Sequence, residues 1–475
     1  MQKFRRKPAV RAFTASVTSL LMLISIISMS TNASAATPAA SNRLVFGPLK
    51  TNILFSDLGV LDLQQSAEKQ FACLSPVAPV RCYTPQQIRS AYTISTLLSH
   101  GITGDGRTIV IVDAYSSPTI AKDLKYFDKL FHLPDPEFSV VAPDGVPVYD
   151  ANDPNQNGWA SEISLDVEWA HAVAPGAKIV LVEAKSSNDP DILSAMRYAV
   201  QKNLGDVISQ SYGEGEACSA VPLSAQHDVF REAVDKGITL IAASGDEGAA
   251  QQAQPPLCGG NAIFYQAAST PATDPLVTAV GATQLDAGSK KGAYGGEIAL
   301  NETDISSIPY TFASGGGFST VFKRPSYQDG VPTIGKYRGV PDVAYSGAIN
   351  GGVLAVQSSS TPPPYEPHVY TFGGTSVGSP QWAGIAALAD QFAGKRLGFL
   401  NKALYTIGKG GHYDESFHDI TFGNNTFHIV DFSEVVSGYS TRKGWDPVTG
   451  WGTPKVATLV PLLAQLVNKH DSNGL

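Results

Sequence analysis

The chain has few charged residues and few cysteines. The first shortage argues against nucleic-acid binding, and the pattern of the cysteines argues against a zinc site. Asp, Glu, Lys and Arg together make up 16% of its 475 residues, and the formal net charge is −8. Nucleic acid is not expected as a partner, because proteins bind nucleic acid through dense basic surfaces and this chain has a net negative charge. No C-x-x-C spacing or histidine-rich pattern accompanies the four cysteines, which argues against a zinc site.

The N-terminus has the pattern of a secretory signal peptide. A basic start with Arg5 and Arg6 precedes an apolar core over 17–29, and small residues follow at 33–35. The core is shorter than a bilayer span, so a membrane anchor is not expected. We predict a signal peptide over residues 1–35 and a secreted, extracellular protein that has no membrane contact once the peptide is removed.

An exported chain with an even number of cysteines can pair them as disulfides. The cysteines are Cys73, Cys82, Cys218 and Cys258. Of the possible pairings, proximity in the sequence favours Cys73–Cys82 and Cys218–Cys258.

Short apolar runs alternate with helical patterns through the middle of the chain. The sequence predicts strands over 107–112, 178–183, 206–211 and 238–243, and helices over 119–130, 161–172, 190–201 and 224–235. Such alternation is typical of an α/β fold in which helices cover both faces of a mostly parallel sheet.

One serine stands in a run of small residues directly before an apolar helix. The helix is predicted over 381–393, and the run is Gly373-Gly374-Thr375-Ser376-Val377-Gly378-Ser379-Pro380. The N-terminus of a helix favours developing negative charge through its dipole and its free backbone N–H groups. Ser376 is therefore a candidate nucleophile, although a glycine-rich turn with a capping serine has the same residue types.

A serine nucleophile needs a base, and an acidic pair stands on a predicted helix. Glu162 and Asp166 are four residues apart, so their side chains lie on the same face of that helix. Ile163, Val167 and Ala170 are apolar and would bury the other side of the helix. Two neighbouring carboxylates titrate as a coupled pair and can serve as a base with an orienting partner. The alternative is a solvated acidic face.

Together these motifs resemble those of the sedolisins, the serine-carboxyl peptidases, which have a subtilisin-like fold. Glu162-x-x-x-Asp166, followed by Ala-Pro-Gly-Ala at 174–177, is similar to their base helix, and Gly374-Thr375-Ser376 is similar to their nucleophile turn. The His-Gly-Thr-His helix of subtilisins is absent. The resemblance implies that Ser376 attacks the peptide carbonyl, Glu162 takes its proton and Asp166 positions Glu162.

A third motif, Ala-Ala-Ser-Gly-Asp-Glu-Gly at 242–248, follows a predicted strand. By resemblance Asp246 completes the oxyanion hole, where subtilisins have asparagine, and it must be protonated to donate a hydrogen bond. A turn-capping aspartate is the alternative. Asp113 ends a strand that resembles one linked to the base helix, so it is expected to hold Glu162 through a hydrogen-bond network.

The segment 209–213 resembles the family's edge segment, which lines the substrate cleft and pairs with the peptide backbone. The resemblance therefore places Ser209, Tyr212 and Gly213 in the cleft. The implied partners are protein or peptide substrates, and the protein is expected to be a monomer.

Two acidic turns near the C-terminus resemble the calcium loops of the family. The implied ligands of one structural Ca²⁺ are the carboxylates of Asp419 and Asp446 and the carbonyls of Ile420, Arg442 and Gly444. Oxygen ligands of this kind suit Ca²⁺. Two unrelated acidic turns are the alternative.

The resemblance covers residues 83–467, which are predicted to form a peptidase catalytic domain with C-terminal calcium-binding loops. Residues 36–82 are predicted to be a short N-terminal prosegment or linker, and 468–475 a polar tail. We expect a secreted, acid-acting serine-carboxyl endopeptidase that uses a Ser-Glu-Asp triad and an acyl-enzyme. The alternatives are a histidine-dependent subtilisin-like peptidase that uses His171 and an inactive secreted binding protein on the same scaffold.

Overall fold

The computed structural model describes residues 54–252, 264–288, 291–302, 311–429 and 434–472. The predicted signal peptide, the first part of the predicted N-terminal segment, Cys258 and the end of the predicted tail lie outside these ranges. None of the helices within them has the length and apolar character that crossing a membrane requires.

Helices and short strands alternate along the described chain. Its helices are α1 (Ala67–Gln70), α2 (Pro85–Ala91), α3 (Ile94–Ser99), α4 (Ile120–Phe131), α5 (Pro154–Val173), α6 (Asp189–Gln201), α7 (Leu223–Asp235), α8 (Gly378–Ala393), α9 (Asn401–Gly408), α10 (Tyr413–Ser416) and α11 (Val456–Ser472). Its strands are β1 (Leu54–Val60), β2 (Cys82–Tyr83), β3 (Thr108–Ala114), β4 (Phe138–Val141), β5 (Lys178–Ala184), β6 (Val207–Gln210), β7 (Glu214–Gly215), β8 (Thr239–Ala243), β9 (Ala250–Gln252), β10 (Phe264–Gln266), β11 (Ser269–Thr270), β12 (Thr278–Asp286), β13 (Gly296–Ala299), β14 (Gly317–Lys323), β15 (Tyr337–Val340), β16 (Val343–Ser346), β17 (Gly352–Gln357), β18 (His368–Gly373), β19 (Phe417–His418), β20 (Phe427–Ile429), β21 (Glu434–Val436) and β22 (Thr453–Pro454).

The central sheet has the strand order β4-β5-β3-β6-β8-β12. Strand β16 pairs with β12 on the side away from β8, and β13 pairs with the end of β12 on the side opposite β16. Every pairing in it is parallel except that of β12 with β13. The predicted mostly parallel sheet is confirmed. The predicted strands coincide with β3, β5, β6 and β8, with ends that differ by at most two residues.

Side chains on the two faces of the sheet enter two different cores. Odd-numbered residues of β3 and β5, such as Ile111 and Leu181, pack in one core with α5 and α8. Even-numbered residues, such as Val110 and Val182, pack in a second core with α6 and α7. Both faces are covered, which explains why these strands read as continuous apolar runs.

Helix α5 differs from the predicted helix in length and in burial. It begins at Pro154 because the Asp153 side chain caps it, accepting a hydrogen bond from the backbone N–H of Asn155 at 2.9 Å. From Trp159 to Val173 every residue is buried, since α4, α8, β3 and β17 surround the helix. The burial predicted for Ile163, Val167 and Ala170 is confirmed, and the acidic side of the helix is buried as well.

A second sheet has the strand order β1-β18-β17-β2. Within the predicted N-terminal prosegment or linker, the described residues form β1, α1 and a 3₁₀ turn, followed by the start of β2. The predicted Cys73–Cys82 disulfide is present. Cys218 is also disulfide-bonded, and the partner predicted for it, Cys258, lies outside the described residues.

Candidate active site

Ser376 lies where the second sheet meets helix α8. Strand β18 ends at Gly373, a 3₁₀ turn covers Thr375–Val377, and α8 starts immediately afterwards at Gly378. Gly374 makes the bend possible because its φ is +117°, a conformation that side chains with a Cβ rarely adopt. The Ser376 side chain, only 4% exposed, therefore sits in front of the N-terminus of an apolar helix.

The acidic pair of α5 is enclosed rather than solvated. Glu162 and Asp166 are both 0% exposed, which contradicts the alternative of a solvated acidic face. Burial raises the pKa of Glu162 well above its ordinary value, and the charges of Asp166 and Asp113 raise it further. A contact with the hydroxyl of Ser376 acts in the opposite direction. Glu162 is thus electrostatically linked to Ser376.

The contact between Ser376 and Glu162 is loose in this structure. Neither carboxylate oxygen of Glu162 has a well-formed hydrogen bond among the described residues, and the Ser376 hydroxyl lies 3.5 Å from the carbonyl oxygen of Ser211. Catalytic hydrogen bonds are often long in substrate-free enzymes and tighten in the substrate complex. Asp166 is fixed more firmly, since its Oδ1 accepts a hydrogen bond from Ser211 Oγ at 3.0 Å.

Asp113 lies behind the acidic pair, next to a carboxylate that the sequence analysis missed. Asp113 and Glu183 are paired residues on β3 and β5, and both continue the odd-numbered series that faces α5. Burial, then the charge of Glu183, raises the pKa of Asp113 to about 8. Burial raises the pKa of Glu183 to about 7, against a hydrogen bond from the Ser117 backbone. The sequence could have identified Glu183 as a site residue, because it lies near the end of a buried strand, as Asp113 does.

The expected hydrogen-bond network from Asp113 to Glu162 is not formed in this structure. Among the described residues, neither carboxylate oxygen of Asp113 has a hydrogen-bond partner. The link to the acidic pair is electrostatic instead, because the charge of Asp113 raises the pKa of both Glu162 and Asp166.

Asp246 follows β8 and holds the turn that carries the nucleophile. Its Oδ1 accepts hydrogen bonds from Thr375 N at 2.6 Å and from Thr375 Oγ1 at 2.7 Å. Burial raises the pKa of Asp246 to about 7, although these bonds lower it. Its Oδ2 lies beside Gly374, where a Cβ on that glycine would come within 2.6 Å of it. A protonated Asp246 can thus accept through Oδ1 and donate through Oδ2. The sequence analysis did not identify Thr375 as a site residue, although its position directly before Ser376 could have indicated this.

The predicted cleft residues separate into two groups. Ser209 is fully buried, with its backbone paired to β3 and β8 on either side and its hydroxyl 2.9 Å from that of Ser379. The prediction that Ser209 lines the cleft is wrong, because an inner strand has no free edge for a peptide. Tyr212 and Gly213 follow the end of β6, and Tyr212 packs beside Trp159 with ring centroids 6.2 Å apart.

His171 is placed differently from the acidic pair. It is fully buried, and its Nε2 lies 3.1 Å from Oδ1 of Asp128, a residue of α4. The ring thus has a partner in the helix layer, whereas the side chain linked to Ser376 is Glu162.

The two acidic C-terminal turns meet in space. The Asp419 carboxylate accepts from the N–H of Gly444 at 3.1 and 3.2 Å, and that of Asp446 accepts from the N–H of Arg442 at 3.1 Å. Asp446 is 0% exposed, and burial raises its pKa to about 7. The described residues contain no group of three or more His, Cys, Asp or Glu side chains suited to a metal. Two adjacent carboxylates with nearby backbone carbonyls do fit Ca²⁺.

Comparisons with known proteins agree with this architecture. The peptidase S8 profile of the subtilase family matches residues 150–401. Kumamolisin from Bacillus sp. (strain MN-32) is 32% identical over 405 residues, which cover 82% of this chain and 65% of kumamolisin. Sedolisin from Pseudomonas sp. (strain 101) is 28% identical over 66% of this chain and 50% of its own. Tripeptidyl-peptidase 1 of Canis lupus familiaris is 31% identical over 64% of this chain and 51% of its own length. The chain spans less than two thirds of the length of these curated relatives.

A solved structure extends the similarity to the whole fold. Pseudomonas sedolisin (serine-carboxyl proteinase), complexed with two molecules of pseudo-iodotyrostatin, matches with a TM-score of 0.67 at 26% identity. The match covers 84% of this chain and 100% of that chain. The chain belongs to the subtilase family and, within it, to the sedolisins, which share the subtilisin-like α/β fold.

Proposed function

We propose that this protein is an acid-acting serine-carboxyl endopeptidase that hydrolyses peptide bonds through an acyl-enzyme. The observation that carries the proposal is the contact between Ser376, at the N-terminus of α8, and Glu162, a carboxylate with no exposed surface. A carboxylate with an elevated pKa beside a hydroxyl is suited to take a proton from it and return that proton later.

Each group near Ser376 has a distinct part in the proposed reaction. Ser376 Oγ attacks the peptide carbonyl as Glu162 takes its proton, and Glu162 then donates that proton to the leaving amine. Asp166, held by the Ser211 hydroxyl, keeps Glu162 in position and shares its charge. Asp246 donates from Oδ2 to the oxyanion, where such a donor contributes about 3 to 4 kcal/mol of transition-state stabilisation. Water then hydrolyses the acyl-enzyme by the same steps.

The proposed preference for acid follows from the donor role of Asp246. Only its protonated form can donate, and its pKa of about 7 keeps it protonated in acid. Proton removal from Ser376 needs one ionised carboxylate in the cluster of Glu162, Asp166 and Asp113. Because the charges of Asp166 and Asp113 raise the pKa of Glu162, the cluster holds few charges at once. Activity should therefore fall as the pH rises through about 7.

We also propose that one structural Ca²⁺ is held by the carboxylates of Asp419 and Asp446 and by the carbonyls of Ile420, Arg442 and Gly444. The support is the Asp446 carboxylate, which is fully buried and is held in the turn by the backbone N–H groups of Arg442 and Val448. When bound, the ion supplies positive charge that neutralises these carboxylates.

We further propose that the protein is secreted after removal of residues 1–35 and is a monomer. Its catalytic domain includes residues 83–467, and its substrates are proteins or peptides that contact Tyr212 and Gly213.

Mutants test the assignment of the base. Ser376→Ala and Glu162→Ala should each lower kcat/KM by a factor on the order of 10³ or more, and the double variant should lose no more than either one. His171→Ala should keep most of the activity, provided that its melting curve shows it folded. Collapse in His171→Ala with a near-normal Glu162→Ala would support a histidine-dependent peptidase instead.

A covalent label separates an enzyme from an inactive binding protein. A serine-directed electrophile should modify Ser376, as detected by mass spectrometry of the intact protein and its fragments. The modification should disappear in Ser376→Ala and weaken strongly in Glu162→Ala. A wild-type protein that takes no label and cleaves no denatured protein at any acidic pH would overturn the proposed function.

A further inference from the structure

We propose that residues 54–82, called here the N-terminal segment, stay in the active enzyme and brace the strand that carries the nucleophile turn, rather than leaving as a prosegment. The inference rests on the proposed peptidase function, because it predicts activity with the segment present.

Strand β1 of the N-terminal segment completes the sheet beside the nucleophile. It pairs antiparallel with β18, from Leu54 opposite Gly373 to Val60 opposite His368. The same strand β18 continues through Gly374 into Ser376. On its other side β18 pairs with β17, so removal of β1 would turn β18 into an edge strand with unpaired backbone groups. The position of the nucleophile turn therefore depends on a strand that has β1 as its neighbour.

The N-terminal segment is also part of the main hydrophobic core. Leu61, Phe71 and Leu74 are 8%, 4% and 7% exposed, and they belong to the same cluster as Ile88 and Phe131 of the catalytic domain. Removal of the segment would uncover this apolar surface, which is unfavourable in water. A segment that leaves after cleavage would be expected to have a separate core instead.

Polar contacts fix the N-terminal segment next to β18 but away from the catalytic groups. The N–H of Leu61 donates to the Pro367 carbonyl at 2.9 Å, and Asp57 lies 2.9 Å from the ring nitrogen of His368. Among the described residues, no hydrogen bond joins the segment to Ser376 or Glu162. The contacts thus support the strand behind the site and do not block the site.

The Cys73–Cys82 disulfide keeps the N-terminal segment attached after a cut in the loop between the two cysteines. The chain between the two cysteines includes Val77, which is 88% exposed, and exposed loops are the usual sites of proteolytic nicking. Cys82 begins β2, which pairs with β17 of the same sheet. Cleavage between Cys73 and Cys82 would leave the two parts covalently joined, which is the reverse of what release of a prosegment needs.

The test uses a recognition sequence for a site-specific protease inserted next to Val77 in the full-length protein. After folding, the protein is cut at neutral pH, and activity on a denatured protein is measured at acidic pH. The cut protein should keep its activity within twofold of the uncut protein. The same cut in a Cys73→Ser, Cys82→Ser variant, followed by gel filtration in mild urea and return to buffer, removes the part of the N-terminal segment that precedes the cut, including β1, without a reducing agent.

The protein without the N-terminal segment should lose activity at least tenfold relative to the uncut double variant, which controls for the missing disulfide and the urea step. A cut segment that stays bound through gel filtration, in protein that keeps its activity, also supports the inference, because a bound inhibitory prosegment would lower activity. Equal or higher activity without the segment would overturn it. If the uncut wild type is inactive, the proposed function fails, and the inference is judged by melting temperature alone, which should fall by about 5 °C or more on removal of the segment.

Discussion

The buried Asp246 carboxyl makes a quantitative prediction about stability. In the unfolded chain its pKa is near 3.8, and in the folded protein burial raises it to about 7. At about 1.4 kcal/mol per pKa unit, this difference corresponds to about 4 kcal/mol of unfolding free energy. Because the folded pKa is the higher one, the contribution is fully present below pH 3.8, is lost progressively as the pH rises towards 7, and stays lost above that value.

The substitution Asp246→Asn isolates this contribution, because an amide does not titrate and keeps an oxygen that can accept from Thr375. In a Ser376→Ala background, which prevents self-digestion, we would measure urea unfolding at pH 4 and pH 8 with a chelator present. The parent should lose more free energy of unfolding between these pH values than Asp246→Asn does, by about 4 kcal/mol.

Asp144→Asn is the matched control, since Asp144 is exposed and folding removes little of its side chain from water. It should leave the difference between pH 4 and pH 8 unchanged. If Asp246→Asn and the parent show the same pH dependence, Asp246 is not held protonated by burial, and its role as an oxyanion donor loses its physical basis.

Two further predictions concern the nucleophile turn and the calcium loops. Gly374→Ala should lower kcat/KM by a factor of about 10² or more, because a Cβ at φ +117° would come too close to Asp246 Oδ2. Gly330→Ala is the control, since Gly330 also has a positive φ, +82°, but open space around it, and this variant should keep its activity. Equal losses of activity in the two variants would point to general backbone strain. Added Ca²⁺ should raise the melting temperature of Ser376→Ala protein at mildly acidic pH by mass action, and Asp419→Ala should abolish this rise. Identical melts with ion and with chelator would rule out the proposed site.

Much of the sheet could be predicted because its strands are buried on both faces. Residues 109–112 and 179–182 are continuous apolar runs, and the strands predicted around them match β3 and β5 almost unchanged. The pairing of Asp113 with Glu183 was not visible, since strand register is decided by tertiary packing and not by either strand alone. Ser209 was misplaced for the same reason, because its sequence does not show that β6 lies inside the sheet.

The N-terminal segment was the other weak point of the prediction. The sequence predicted a short prosegment or linker over 36–82, and within it a few apolar side chains such as Leu61 and Phe71 pack in the main core. These residues lie at irregular spacing, so no helix or strand period reveals them. The acidic pair on α5 was found from its spacing, but its complete burial depends on helices distant in the sequence.

The pH dependence of kcat/KM on a denatured protein substrate, measured for the wild type with Ser376→Ala as the blank, tests the central claim most directly. A carboxylate base with a protonated Asp246 predicts an optimum below pH 7 and a decline as the pH rises through about 7. An optimum above pH 7, or equal hydrolysis by Ser376→Ala, would contradict the serine-carboxyl mechanism.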